Sequence, residues 1–206
     1  MDIEVYTILG SDCAEFVLFE PDEIIQYAGV RADWCADDAV QLSLANAGRA
    51  VFLPVGVDGF FRFRITTGSL TPQEAEDVIL VERRCWLETN GHDLRFGGLE
   101  TLPTGIGGET VYIYEDEYVT IPCDQGMYHV EIYRLGKSLE MEDEIENAET
   151  ADRNQDSDST ALPSYILRLM PFAPGETPIH LDVMPSLGLS HNEVWMRNSN
   201  GDGEVS

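Results

Sequence analysis

Lysine occurs only once in the chain, at Lys137, and the other eleven cations are arginines. Against these 12 stand 38 Asp and Glu, a formal net charge of −26. A chain this short of cations has little with which to neutralise phosphates and release counterions, which excludes direct binding to bare DNA or RNA and to anionic membranes. Two causes produce such a charge. One is an acidic, salt-adapted proteome in which carboxylates keep surfaces solvated; the other is a negative face built for a positively charged partner. Composition leaves both open. Cysteine is also scarce: Cys13, Cys35, Cys85 and Cys123 include no C-x-x-C pair, which argues against a zinc ribbon or a thioredoxin-type motif. Each lies in or beside an apolar run, so they are expected as buried thiols in a reducing compartment. No run approaches the roughly 18 uncharged apolar residues of a membrane span, and Met1-Asp-Ile-Glu-Val-Tyr6 lacks the basic and apolar regions of a signal peptide. A soluble, cytoplasmic protein is expected.

What is present suffices for a core. Of 206 residues, 43% are hydrophobic, enough for one domain without disulfides or structural metal. Period-two alternation with β-branched and aromatic residues recurs along the chain, broken by Gly, Pro, Asn and Asp. The pattern predicts an all-β chain, a mainly antiparallel β-sandwich with one or two short helices, spanning 1–206. Strands are expected at Asp2–Leu9, Ala14–Glu20, Ala39–Ala45, Arg49–Val55, Phe60–Thr67, Val78–Glu88, Asp93–Phe96, Thr110–Glu115, Met127–Leu135, Ser164–Pro171, Ile179–Met184 and Asn192–Arg197. In the clearest of them, Phe61, Phe63 and Ile65 face a core while Arg62 and Arg64 meet water or carboxylates on the other side. Asp58-Gly59 and Asn90-Gly91 read as hairpin turns joining the strands on either side. Glu100–Glu109, with one proline and three glycines, reads as a loop between the two sheets. Thr71 with Pro72 and Glu74 predicts an N-cap, a first helical proline and a capping box; a second short helix is expected from Pro21 to Tyr27.

Leu139–Leu162 carries nine acidic residues and one arginine. So few apolar groups cannot offset an ordering entropy of roughly 1–2 kcal/mol per residue, so 139–162 is expected as a mobile acidic insertion and 198–206 as a disordered tail. Asp152, Asn154, Asp156 and Asp158 mimic the spacing of a calcium loop, but Ser157 replaces the turn glycine and Pro163 the final carboxylate. Gly105, Gly107 and Gly108 lack phosphate-loop spacing. No metal site and no cofactor are expected. His129, Glu131 and Tyr133 share one face of a strand, expected as the solvent face of an edge or surface strand; His180 and Asp182 share another.

Several segments together resemble the competence-linked nuclease inhibitors of bacilli. They are Phe16-Val-Leu-Phe19, Asp33-Trp34, Ala50-Val-Phe-Leu-Pro-Val-Gly56 and Ile121-Pro122 leading into Gly126-Met-Tyr-His-Val-Glu-Ile-Tyr133, within the first two thirds of the chain. The resemblance implies a β-sandwich and an inhibitor or immunity-type role, and carries no site residue across. With the charge of −26 and no catalytic motif, the expected function is non-enzymatic neutralisation or escort of a basic protein partner, such as a nuclease or toxin. Candidate contacts are Asp33, Trp34, Asp37 and Asp38, with Glu142, Asp143 and Glu144 in the insertion. The alternatives are a ligand-binding module, for carbohydrate or another small ligand, and a hydrolase built on His129 or His180. Oligomeric state is not readable.

Overall fold

The computed structural model describes residues 2–28, 34–106, 109–111, 117–136 and 162–187. Eleven strands are described: β1 (Glu4–Ser11), β2 (Glu15–Phe19), β3 (Ala50–Pro54), β4 (Gly59–Thr66), β5 (Val78–Thr89), β6 (Leu94–Gly98), β7 (Thr104–Ile106), β8 (Glu109–Val111), β9 (Tyr118–Ile121), β10 (Gly126–Leu135) and β11 (Tyr165–Pro171). They form a five-stranded sheet, β1-β4-β11-β10-β5, a four-stranded sheet, β3-β2-β6-β9, and a β7-β8 ribbon. All pairings are antiparallel except β4 with β11. The fold is mainly β, as the alternation predicts.

The core lies between the two larger sheets. Phe61, Phe63 and Ile65 of β4 with Tyr165, Leu167 and Leu169 of β11 face Phe16, Leu18, Leu53 and Phe96 of the other sheet. Phe61, Phe63 and Ile65 point inward as expected, and Arg64 meets carboxylates on the opposite face. The four-stranded sheet is covered on its second face as well, where Val17, Phe19 and Phe52 pack on helical Ile24 and Leu44 and on Leu99, Leu102 and Leu181. Burial on both faces explains the continuous apolar run Phe16-Val-Leu-Phe19, which does not alternate.

Three α-helices are found among the described residues: α1 (Pro21–Ala28), α2 (Asp38–Asn46) and α3 (Pro72–Asp77). In α3 the Thr71 hydroxyl accepts from the Glu74 N–H at 3.2 Å, and the Glu74 carboxylate accepts from the Thr71 N–H at 2.6 Å, completing the expected capping box. Helix α2 replaces the strand expected at Ala39–Ala45. Its Val, Leu and Leu alternate by chance, while Gln41, Leu44 and Ala45 are the buried residues, at helical spacing. The Asp37 carboxylate decides the matter by accepting from the Ala39 and Val40 N–H groups as N-cap.

Both expected hairpins are corrected. Asp58-Gly59 and Asn90-Gly91 do turn the chain, with φ of 142° at Gly59 and 88° at Gly91, but each turn crosses between sheets. β4 pairs with β1 rather than β3, and β6 pairs with β2 and β9 rather than β5. Glu100–Glu109 is not a loop between sheets: it holds β7 and leads into β8, and the segment links β6 to β9 of one sheet. Strand β10 is interior, not an edge. Ile179–Met184, expected as a strand, is irregular. Thr110–Glu115 is described only as far as Val111; Asn192–Arg197 and the tail fall outside the described residues, as does 139–162 apart from Leu162.

Residues 172–187 form a strap across the side of the sandwich between the β5 and β3 edges. Phe172 packs against Trp86 and stacks on His129 at 3.8 Å. Asn46 exchanges two hydrogen bonds with the Leu181 backbone, at 2.6 and 2.9 Å. The Leu187 N–H donates to the Pro54 carbonyl at 3.2 Å, and the Leu187 carbonyl accepts from Arg134 at 3.1 Å. Gly48, with φ of 66°, turns the chain beneath this side. A Cβ there would run into the Trp86 ring, so both the left-handed backbone and the space require glycine.

Candidate partner-binding site

Five segments converge at one end of the sandwich: the β1–β2 turn, the one-turn 3-10 helix Trp34–Ala36, the start of α2, the turn before β4, and the 3-10 helix Leu99–Thr101. The turn is held by Ser11, whose hydroxyl lies 2.9 Å from the Glu15 carbonyl and 3.1 Å from the Glu100 carboxylate and accepts from the Cys13 N–H. Ala14, with φ of 53°, takes a conformation that β-carbon residues seldom adopt, and its carbonyl accepts from Val55 and Gly56. Gln41 of α2 ties the parts together, donating to the Glu15 carboxylate at 2.9 Å and to the Cys35 carbonyl at 2.8 Å.

This end gathers carboxylates. Asp12, Asp38 and Asp58 are exposed, Asp37 and Glu100 are half-buried, and Glu15 is buried. Among the described residues, no cation forms an ion pair with Asp12, Glu15, Asp38, Asp58 or Glu100. Of the described arginines, Arg49 pairs with Glu23, Arg64 with Glu4 and Glu74, Arg83 and Arg168 with Glu131, and Arg84 with Glu82, while Arg134 donates to the Leu187 carbonyl and Arg62 lies across from Ile8 on β4. Arg95 lies over the Tyr118 ring at 4.2 Å. Surplus negative charge therefore collects at the end where α2 begins.

Burial, and behind it the crowding of negative charge, shows in the titrations. Burial, opposed by the Gln41 hydrogen bond and reinforced by Asp38, raises Glu15 to about 6. Burial, and then Glu100, raise the Cys13 thiol. Raised in the fold, Glu15 retains its proton over a range in which the unfolded chain has lost it. Its contribution to stability therefore falls as pH rises from the ordinary carboxylate value of 4.5 to about 6. Expressed as free energy the loss is about 2 kcal/mol. Glu15→Gln is accordingly expected to gain on the parent protein across that window and to hold a constant difference above it, measured by urea denaturation at stepped pH. A difference independent of pH would show that Glu15 titrates normally.

Of the residues singled out from sequence, Asp37 and Asp38 come together here, and Trp34 begins the adjoining 3-10 helix. Asp33, Glu142, Asp143 and Glu144 fall outside the described residues. Glu15, Asp58 and Glu100 were not anticipated; they are distant in sequence and only the folded turn assembles them. Of the cysteines, Cys85 and Cys123 are buried as expected, burial pushing Cys85 up to about 12. Cys13 is exposed, because the strand starts only at Glu15.

The described histidines stand apart from this end. His129 Nε2 lies 2.8 Å from the Glu176 carboxylate on the outer face of the five-stranded sheet, and Glu131 there is shared by Arg83, Arg168 and the Tyr133 hydroxyl. His180 is exposed on the strap, where no strand aligns it with Asp182. Beneath the strap, Ala45, Ala50, Cys85, Trp86, Leu181 and Met184 line a cavity of ≈ 10 Å³, room for about one water molecule and too small for a sugar ring. No three His, Cys, Asp or Glu side chains among the described residues are placed to share a metal ion, and no described helix is long and apolar enough to cross a membrane.

No protein-family model matches the chain, and no curated protein matches it. Among solved structures it is similar to the protein titled Crocagin biosynthetic gene J, with 20% identity, 83% of this chain and 98% of that one covered, and a TM-score of 0.53. It is also similar to ComJ from Bacillus subtilis, an inhibitor of the DNA-degrading activity of NucA, with 12% identity, 84% and 99% covered, and a TM-score of 0.44. ComJ is a protein of the kind to which the sequence resemblance pointed. At 20% identity the likeness to the first is one of fold alone.

Proposed function

We propose that the protein is a non-enzymatic binding protein that engages a basic protein partner through the carboxylate-rich end of its sandwich. The observation that carries this reading is the group Asp12, Glu15, Asp38, Asp58 and Glu100, with which no described cation forms an ion pair, while five of the described arginines are held by carboxylates elsewhere. Proteins that act on nucleic acids present basic clefts, so a nuclease or a toxin of that class is the partner such a face complements. Neutralising that cleft competes directly with its phosphate substrate. Asp37 holds α2 in place, Asp38 projects beside it, and Asp33 and Trp34 adjoin it in sequence.

The test is capture from a lysate of the source organism at low salt, followed by a salt gradient, with the triple variant Asp38→Asn, Asp58→Asn and Glu100→Gln run in parallel. A single basic protein released sharply at moderate salt, and retained about tenfold less by the variant, is the expected result. Retention of only scattered basic proteins, equally by both forms, would assign the charge to proteome-wide acidity.

A further inference from the structure

The two sides of the sandwich are closed differently. The strap covers the side between β5 and β3, whereas on the other side β1 and β9 are the outer strands of their sheets, and no described residue pairs with either outer edge. Between them runs a seam. Val5 and Leu9 of β1 and Val119 of β9 pack on the core but remain half-buried, so the apolar interior is incompletely covered here.

The direction of the unpaired groups follows from the register. The Thr67 N–H donates to the Ile3 carbonyl, so Ile3 and Thr67 form a hydrogen-bonded pair, and alternation makes Val5, Thr7 and Leu9 the residues bonded to β4. The Arg62 carbonyl, opposite Ile8, accepts from Ser164 beside β11, as this alternation requires. The N–H and C=O groups of Glu4, Tyr6, Ile8 and Gly10 therefore point away from the sheet. Strand β1 has neither proline nor lysine, the usual guards of an open edge, and it carries two exposed apolar side chains, Tyr6 at 49% and Ile8 at 40%.

We propose that this edge is a docking site for an extended segment of the basic partner, which adds to β1 as a sixth strand and covers the seam. An extended main chain is the occupant because the unmet groups are a row of backbone donors and acceptors at strand spacing. Charge sets its side chains. Asp2 stands at one end of β1, beside Glu4, whose charge is paired with Arg64; Asp12 stands at the other, next to the carboxylate-rich end of the sandwich. Arg62 lies across from Ile8 in the middle, while Arg64 is already held by Glu4 and Glu74. The complement is a segment of roughly eight residues, basic at both ends and apolar between. The inference rests on the proposed function and supplies the mode of recognition.

The probe is a synthetic peptide with lysine and arginine at both ends and alternating valine and threonine between, titrated at low salt into the full chain, with amide hydrogen exchange read residue by residue. The Tyr6 and Ile8 amides are expected to exchange freely without peptide and to slow at least about tenfold at saturation. Ile8→Pro, which removes an outward N–H and no bond to β4, is expected to weaken the peptide about tenfold. Ile8→Lys, which keeps the strand but opposes a basic segment, is expected to do the same should the proline variant fail to fold. Salt-dependent binding that leaves these amides unprotected would overturn strand addition and leave the electrostatic reading standing. No binding at low salt, or binding by both Ile8 variants as tight as by the parent protein, would also overturn it. Protection that grows with protein concentration alone would assign the edge to a second copy of the chain, against the proposal.

Discussion

Arg64→Ala is expected to lower folding stability by about 3–5 kcal/mol, the largest effect of any charge removal among the described residues. Arg64 is 6% exposed. Its guanidinium donates to Glu4 at 2.7 Å and to Glu74 at 2.6 Å. Glu4 is partly in water, and although its burial acts to raise it, the hydrogen bonds from Arg64 and Thr66 hold its carboxyl below the ordinary range. Glu74 is different, with a side chain only 4% exposed. Without the arginine it would be a buried carboxylate with the Thr71 N–H as its remaining donor. Because the cost arises from the charge left behind, Arg64→Met combined with Glu74→Gln should recover much of the loss while an amide oxygen still caps Thr71. Urea denaturation of the two variants checks this. Equal destabilisation of both would place the cost in packing instead.

Phe63→Ala is expected to cost a similar amount, about 3–5 kcal/mol, for an unrelated reason. Phe63 is 1% exposed at the centre of the inter-sheet core. Its ring lies edge-on to Phe16 at 4.7 Å and to Phe96 at 4.8 Å, and stacks on Tyr165 at 5.8 Å. The two sheets are held there by rings from β2, β4, β6 and β11, so truncation opens a void that rigid neighbours cannot fill. Phe63→Leu should cost markedly less. Thermal and chemical unfolding of both variants decides it, and a loss under 1.5 kcal/mol for the alanine variant, the range of volume-conserving swaps, would mean that the rings collapse into the space.

What was legible in the sequence follows from how local each determinant is. The capping box of α3 depends on residues three apart, and the inward set Phe61, Phe63 and Ile65 on residues two apart, so both could be read directly. In helix α2, Val40, Leu42 and Leu44 imitate a strand, and the Asp37 cap is the local signal for a helix. Pairing is not local. Asp58-Gly59 marks a turn, but whether the strands it joins become neighbours depends on where β1, some fifty positions earlier, finds its partner. The site divides in the same way. Asp37 and Asp38 attracted notice as neighbours in an acidic run, whereas Glu15, Asp58 and Glu100 are brought together by tertiary structure through Ser11 and Gln41.

Carboxylates at this end of the sandwich are proposed to draw in a basic partner. The most direct measurement is the association rate of the captured partner as a function of ionic strength, for the parent protein and for the triple variant Asp38→Asn, Asp58→Asn and Glu100→Gln. The rate is expected to fall steeply with salt in the parent, and the variant to be about tenfold slower at low salt with a flatter dependence. Equal rates for the two proteins, unchanged from low to high salt, would contradict it.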